Sequence, residues 1–134
     1  MNRTHLERAV ETLAAKRGYT FCAVPDDALP HAVSGYPAAA LAPLALHAIE
    51  GRQHGRATYD LTLRLLCLGA KSSPTDRRTA LATLEENLLS LLVELTDDPK
   101  VVAVEELKIR PTTLTFTPHG ELSQTATARI ITYF

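Results

Sequence analysis

The stretch Arg56-Ala57-Thr58-Tyr59-Asp60-Leu61-Thr62-Leu63-Arg64-Leu65-Leu66-Cys67-Leu68 decides the fold class. Ala57, Tyr59, Leu61, Leu63, Leu65 and Cys67 occupy every second position, and Thr58, Asp60, Thr62 and Arg64 fill the gaps. Side chains alternate faces along a strand, so this period of two predicts a long strand with one buried and one wet face. Leu66 and Leu68 break the alternation, which predicts that the far end of the strand is covered on both sides.

On the N-terminal side, Gly51-Arg52-Gln53-His54-Gly55 carries the turn chemistry of a hairpin, which makes residues 44–50 the partner strand. The run before it, Ala38-Ala39-Ala40-Leu41-Ala42-Pro43, has the alanine content of a helix. A proline at position 43 would cost a helix interior about 3 kcal/mol. An extended segment with Pro43 at an edge or bulge is expected instead. Residues 25–37, holding Pro25, Pro30, Gly35 and Pro37, form a long loop of the kind that is often functional. Before that, residues 19–24 are a short strand, and residues 4–17 a helix. Leu6, Ala9, Val10, Leu13 and Ala14 share one face of that helix, Thr4 and Glu7 form its capping box, and Gly18 is its stop.

On the C-terminal side, Ser73-Pro74-Thr75-Asp76 starts a second helix, with Ser73 as N-cap and Pro74 in the first turn. Leu81, Leu84, Leu88, Leu91 and Leu95 recur by threes and fours, with Ala80 and Leu92 beside them, and Thr96-Asp97-Asp98-Pro99 ends the helix. This stripe predicts a core-facing helix rather than a coiled-coil seam. Val101–Val104 alternate in one phase and Leu107 and Ile109 in the other, so a β-bulge falls at Glu105-Glu106. That strand is expected to run past Pro111 toward Phe116, and Thr117-Pro118-His119-Gly120-Glu121 connects it to a terminal alternating strand at 125–134.

The expectation is therefore an α+β domain spanning residues 1–134. Its mainly antiparallel sheet of four to five strands carries two α-helices, in the order α-β-β-β-α-β-β. The chain's 134 residues suffice for a sizeable core, and its 46% hydrophobic and 22% charged residues are ordinary globular usage. Fourteen Lys and Arg against fifteen Asp and Glu leave a net charge of −1, without the basic excess of a nucleic-acid binder. The first residues lack the apolar core of a signal peptide, and no uncharged apolar run reaches membrane-span length. A cytoplasmic location without a membrane partner is expected. Cys22 and Cys67 sit in apolar strand-like segments and are read as small buried hydrophobes.

Chemistry is sparse. His5, His31, His47, His54 and His119 show no pairing with Cys or carboxylate at ligand spacing. Gly51 and Gly55 flank a turn, and no phosphate-cradling loop follows. The acidic pairs Asp26-Asp27, Glu85-Glu86, Asp97-Asp98 and Glu105-Glu106 are sequence neighbours, whereas an acid–base dyad needs two segments converging in a cleft. No serine or cysteine lies in a nucleophile elbow. No catalytic residue, metal site or cofactor is expected. The candidate interaction residues are Arg52, His54 and Arg56 at the hairpin tip, and Tyr36, an aromatic of the type enriched at interfaces that fits core packing equally well.

Tyr36-Pro37-Ala38-Ala39-Ala40-Leu41, the hairpin with Gly51 and Gly55, Thr58-Tyr59-Asp60-Leu61-Thr62-Leu63, the leucine-rich helix, Val101-Val102-Ala103-Val104 and Thr117-Pro118-His119-Gly120-Glu121 follow one another in that order. Over residues 36–134 the chain resembles the tail-terminator and tail-completion proteins of long-tailed bacteriophages and prophages, the lambda-type neck proteins. The resemblance implies a non-catalytic subunit of a homo-oligomeric ring, often six-fold, that caps the tail tube and meets the head connector. Its partners would be copies of itself, tail-tube proteins and head-connector proteins. It would assemble in the bacterial cytoplasm and reside in the virion tail or neck. Two other roles fit the same residues: a small-molecule-binding or enzymatic domain with a pocket between sheet and helices, and a sibling structural role as head–tail adaptor or tail-tube subunit.

Overall fold

A computed structural model describes residues 2–69, 73–112 and 120–134. In chain order it contains α1 (Asn2–Lys16), β1 (Thr20–Ala23), a 3-10 turn (Asp26–Ala28) and α2 (Leu29–Ala32). β2 (Ala38–Leu41), β3 (Ala45–Gly51), β4 (Gly55–Leu68), α3 (Pro74–Leu95), β5 (Val101–Pro111) and β6 (Glu121–Tyr133) follow. The fold is α+β, with six strands in one mostly antiparallel sheet. The extra strand beyond the expected count is β2, and α2 is a single turn inside the expected loop.

The sheet runs β1-β2-β4-β6-β5, with β1 and β2 parallel and the remaining pairs antiparallel. β4 is the spine. Residues 56–68 pair with β6, while the other side of β4 pairs with β3 over residues 55–60 and with β2 over residues 63–66. Pro43 lies in the break between β2 and β3, where a residue without an amide proton costs the ladder least. The sequence Ala38-Ala39-Ala40-Leu41 is buried throughout because both faces of β2 are covered, which leaves no alternation to read.

α1 and α3 lie on one face of the sheet. Leu61, Leu63 and Leu65 of β4, Leu84, Leu88, Leu91, Leu92 and Leu95 of α3, Leu6, Val10 and Ala14 of α1, and Ala126 and Ile130 of β6 form one core. None of these side chains is more than 2% exposed. A smaller cluster sits on the opposite face, where Leu29 of α2 covers Ala38, Ala40 and Leu66. The two-sided cover expected near the end of β4 therefore holds for Leu66. Leu68, by contrast, is 58% exposed, because α2 reaches no further along the strand than Leu66.

Local signals account for most element boundaries. The Ser73 hydroxyl accepts a hydrogen bond from the Asp76 amide at 3.1 Å, and Pro74 follows it as the first helical residue. At the end of α1, Gly18 takes φ +83°, and the Gly18 and Tyr19 amides donate to the Ala15 and Ala14 carbonyls. This is a Schellman ending. The predicted Thr4/Glu7 capping box does not form the start of α1, because the helix already runs from Asn2 and Thr4 lies within its first turn. The Asn2 amide instead donates to the Tyr133 carbonyl at 2.7 Å and to the Thr132 hydroxyl at 3.2 Å, tying the helix to the end of β6. The β5 register slips between Glu105 and Lys108, and Glu106 has φ +53°. That bulge lets Val104 and Leu107, three residues apart, both pack on the helix-side core. The expected continuation toward Phe116 and the first part of the connection at 117–119 lie outside the described residues.

Candidate interaction surfaces

The β3–β4 hairpin projects beyond the helices. Its turn depends on two glycines. A Cβ on Gly51, at φ +99°, would lie 2.6 Å from the His54 carbonyl oxygen, and one on Gly55 would lie 1.9 Å from that of Glu50. With glycine at both positions the strands close around Arg52, Gln53 and His54. The Phe134 backbone pairs with Gly55 in both directions, which adds the chain's last residue to the hairpin base.

Every residue of β3 is exposed. Leu46 pairs with Tyr59 and Ile49 with Ala57, so both point to the helix side of the sheet. A register shift between Leu46 and Ala48 keeps these two residues, three apart, on one face. The helices stop short of them, leaving Leu46 at 46% and Ile49 at 59% exposure. Together with Phe134, Ala57 and Tyr59 they line an open groove of about 400 Å³, whose rim is Asn2 and Arg3. The Arg3 guanidinium lies 5.6 Å from the Tyr59 ring centroid, a cation–π distance, and donates to the Leu44 carbonyl. Among the described residues no carboxylate lines this groove.

A second apolar patch lies on α3. Leu89 and Val93, one helical turn apart, are 48% and 58% exposed. The helix turns 100° per residue, which sets these two on the flank away from α1. α1 engages the other flank, where Glu94 binds Lys16 and Arg17, and Asn87 donates to the Tyr19 hydroxyl at 2.9 Å. Burial pushes the Tyr19 hydroxyl above its ordinary pKa, with the Asn87 bond opposing the shift. Glu85 and Glu86 stand one turn before Leu89, exposed and without an ion pair among the described residues.

A third feature joins the start of α1 to the turn after α3. The His5 ring lies 2.9 Å from both Asp98 carboxylate oxygens, and Asp98 also accepts from the Lys100 amide at 2.8 Å. Desolvation would raise the Asp98 pKa, but these hydrogen bonds outweigh it and hold the carboxyl below its ordinary range. The pair borders an open hollow of about 430 Å³ between the two helices. His47 is likewise 3.6 Å from Asp60, which Arg129 also approaches at 3.4 Å. Two histidines thus meet carboxylates that sequence spacing had not paired with them, since 93 residues separate His5 from Asp98. No group of three or more His, Cys, Asp or Glu side chains among the described residues is placed to hold a metal ion.

The predicted interaction residues divide. Arg52, His54 and Arg56 cluster, exposed, at the hairpin tip. Arg56 and its cross-strand neighbour Glu50 point to the polar side of the sheet, opposite Ile49 and Ala57. Tyr36 is at the other end of β4, half-buried against the Leu29–Leu66 cluster, some ten residues or roughly 33 Å along the strand. Cys22 and Cys67 are both half-buried free thiols, one beside each core cluster, and burial raises the pKa of each. Sequence reasoning missed Leu46, Ile49, Leu89, Val93 and Phe134. The one available signal was the position of Leu89 and Val93 outside the Leu84–Leu88–Leu91–Leu95 stripe. No family model matches the chain, and no curated protein matches it. Among the described residues no helix is long and apolar enough to cross a membrane.

Proposed function

We propose that this chain is a structural assembly subunit that works through its surfaces. By its resemblance to the lambda-type neck proteins, it would be a tail-terminator or tail-completion protein of a phage or prophage. One observation carries the reading: the leucines of β4 and α3 fill the space between sheet and helices, while two sets of large apolar side chains stand outside it. Exposed apolar patches rimmed by polar residues favour contact with other proteins. Long edges and a projecting hairpin suit a subunit that packs against copies of itself in a closed ring and presents its ends to tail tube and head connector. In this reading the protein assembles in the bacterial cytoplasm and ends in the virion neck.

The test is direct. Sedimentation velocity of the purified protein, with electron microscopy of the assembled species and of tails formed in its presence, is expected to reveal a closed ring at one end of the tail. A chain that stays monomeric and never enters particles would overturn the proposal.

A further inference from the structure

The two apolar patches lie over opposite halves of the sheet. β3 flanks β4 on one side, whereas β5 is the outermost strand on the other. α3 packs over β5 and β6, and α1 packs between α3 and β1. The outer side of α3, with Leu89 and Val93, therefore stands above the β5–β6 half of the sheet. Leu46 and Ile49 stand at the far side, and both patches open on the helix-bearing half of the molecule.

Their charges are complementary. The β3 groove is bordered by Arg3, and Arg52 stands at the adjacent turn. The α3 patch is bordered by Glu85 and Glu86, with Arg78 two turns further toward the helix start. Lys108 and Arg110 of β5 do not neutralise it, because they face the opposite side of the sheet with Thr125 and Thr127. Two different apolar patches of opposite rim charge on one chain meet the requirement for a head-to-tail contact.

We propose that the β3 groove of one copy receives the Leu89–Val93 flank of α3 from the next copy. Ile49 and Leu46 pack on Leu89 and Val93, and Arg3 and Arg52 face Glu85 and Glu86. The proposal rests on the self-assembly reading and specifies its interface. It assigns the occupant as a second copy of this chain.

The experiment uses two full-length variants at highly exposed positions, Ile49→Glu and Val93→Lys. Thermal melts by circular dichroism establish that both fold, and both are expected to melt close to wild type. In sedimentation velocity each variant alone is expected to weaken self-association by at least about tenfold relative to wild type, since a buried unpaired charge enters every contact. An equimolar mixture is expected to restore assembly. In the mixture the carboxylate introduced at position 49 meets the ammonium introduced at position 93. Such contacts alternate with wild-type ones, so only closed rings of even number form.

Other outcomes separate the two ideas. If wild type assembles and neither variant weakens it, this interface is wrong while self-assembly stands. Loss in Ile49→Glu with no loss in Val93→Lys points to β3 pairing with β3 across a two-fold axis, which overturns the head-to-tail contact. Wild type that remains monomeric to about 1 mM removes this interface, and the assembly reading falls with it when the chain also never enters tails. A second measurement covers a misfolded variant: Ile49→Cys with Val93→Cys is expected to form intermolecular disulfides under mild oxidation, and failure to cross-link in assembled wild-type-like species rejects the contact.

Discussion

Truncating Leu63 to alanine tests whether the leucine interlock between β4 and α3 is the main source of stability. Leu63 is fully buried at the centre of the core-facing row of β4. Removing three carbons forfeits about 2.4 kcal/mol of transfer free energy at roughly 0.8 kcal/mol per methylene. A residual void of about 50 Å³ adds roughly 1.2 kcal/mol at about 24 cal/mol per Å³. The expected loss is therefore about 3–4 kcal/mol. For a chain of this size that lowers Tm by roughly 10–15 °C. In urea, with a slope of about 2 kcal/mol/M, the midpoint falls by roughly 1.5–2 M without a change in slope. Leu68→Ala is the internal control. Leu68 lies on the same strand but is 58% exposed, so its truncation should cost within about 0.5 kcal/mol. A Leu63→Ala loss below about 1 kcal/mol, or equal losses at the two positions, would refute the filled-core account.

Three further outcomes follow from local geometry. Ser73→Ala removes the hydroxyl that accepts the Asp76 amide and should cost about 1 kcal/mol in denaturant melts, because α3 loses its N-cap. Gly55→Ala should fail to close the hairpin, since the new Cβ would sit 1.9 Å from the Glu50 carbonyl oxygen. Its proton-exchange protection across β3 should vanish while that of β6 near Ala126 persists. Asp98 has a folded pKa below its unfolded value, so its contribution is present above the ordinary carboxylate range and lost as pH falls through the folded value. Urea midpoints between pH 7 and pH 3 should therefore drop less in Asp98→Asn than in wild type, and parallel curves would remove His5–Asp98 as an acid-sensitive clamp.

Elements whose two sides differ were legible from residues alone. β4 announces itself through Tyr59–Leu61–Leu63–Leu65 because helices cover one face and water the other. α3 does so through its leucine spacing, and the β5 bulge through a phase change around Glu105-Glu106. β2 was harder to place as a separate strand because four apolar residues buried on both faces carry no period. Its parallel pairing with β1 depends on the path through α2, which residues 25–37 announce only as turns. Exposure at Ile49 was invisible for a different reason. A row of apolar side chains on a strand looks like core until the neighbouring helix is known to end before it. The His5–Asp98 pair depends on bringing the start of α1 against the end of α3, a tertiary fact with no local trace.

The edges of the sheet differ in how they are protected against unwanted pairing. β5 is guarded: a bulge between Glu105 and Lys108 disturbs its ladder, charged Lys108 and Arg110 follow, and Pro111 closes it. β1 is only four residues long. β3 has seven residues, all exposed, with no proline, and Glu50 is its one acidic or basic residue apart from His47. Leu46 and Ile49 stand beside an edge of backbone donors and acceptors that pairs with no other strand among the described residues. A single bulge at His47 is a weak defence against unwanted pairing. An edge of that length and composition is a liability in a monomer, and covering it with another chain removes the liability. The same cover would bury Phe134 and the Tyr59 floor, joining β6 and the hairpin in one contact.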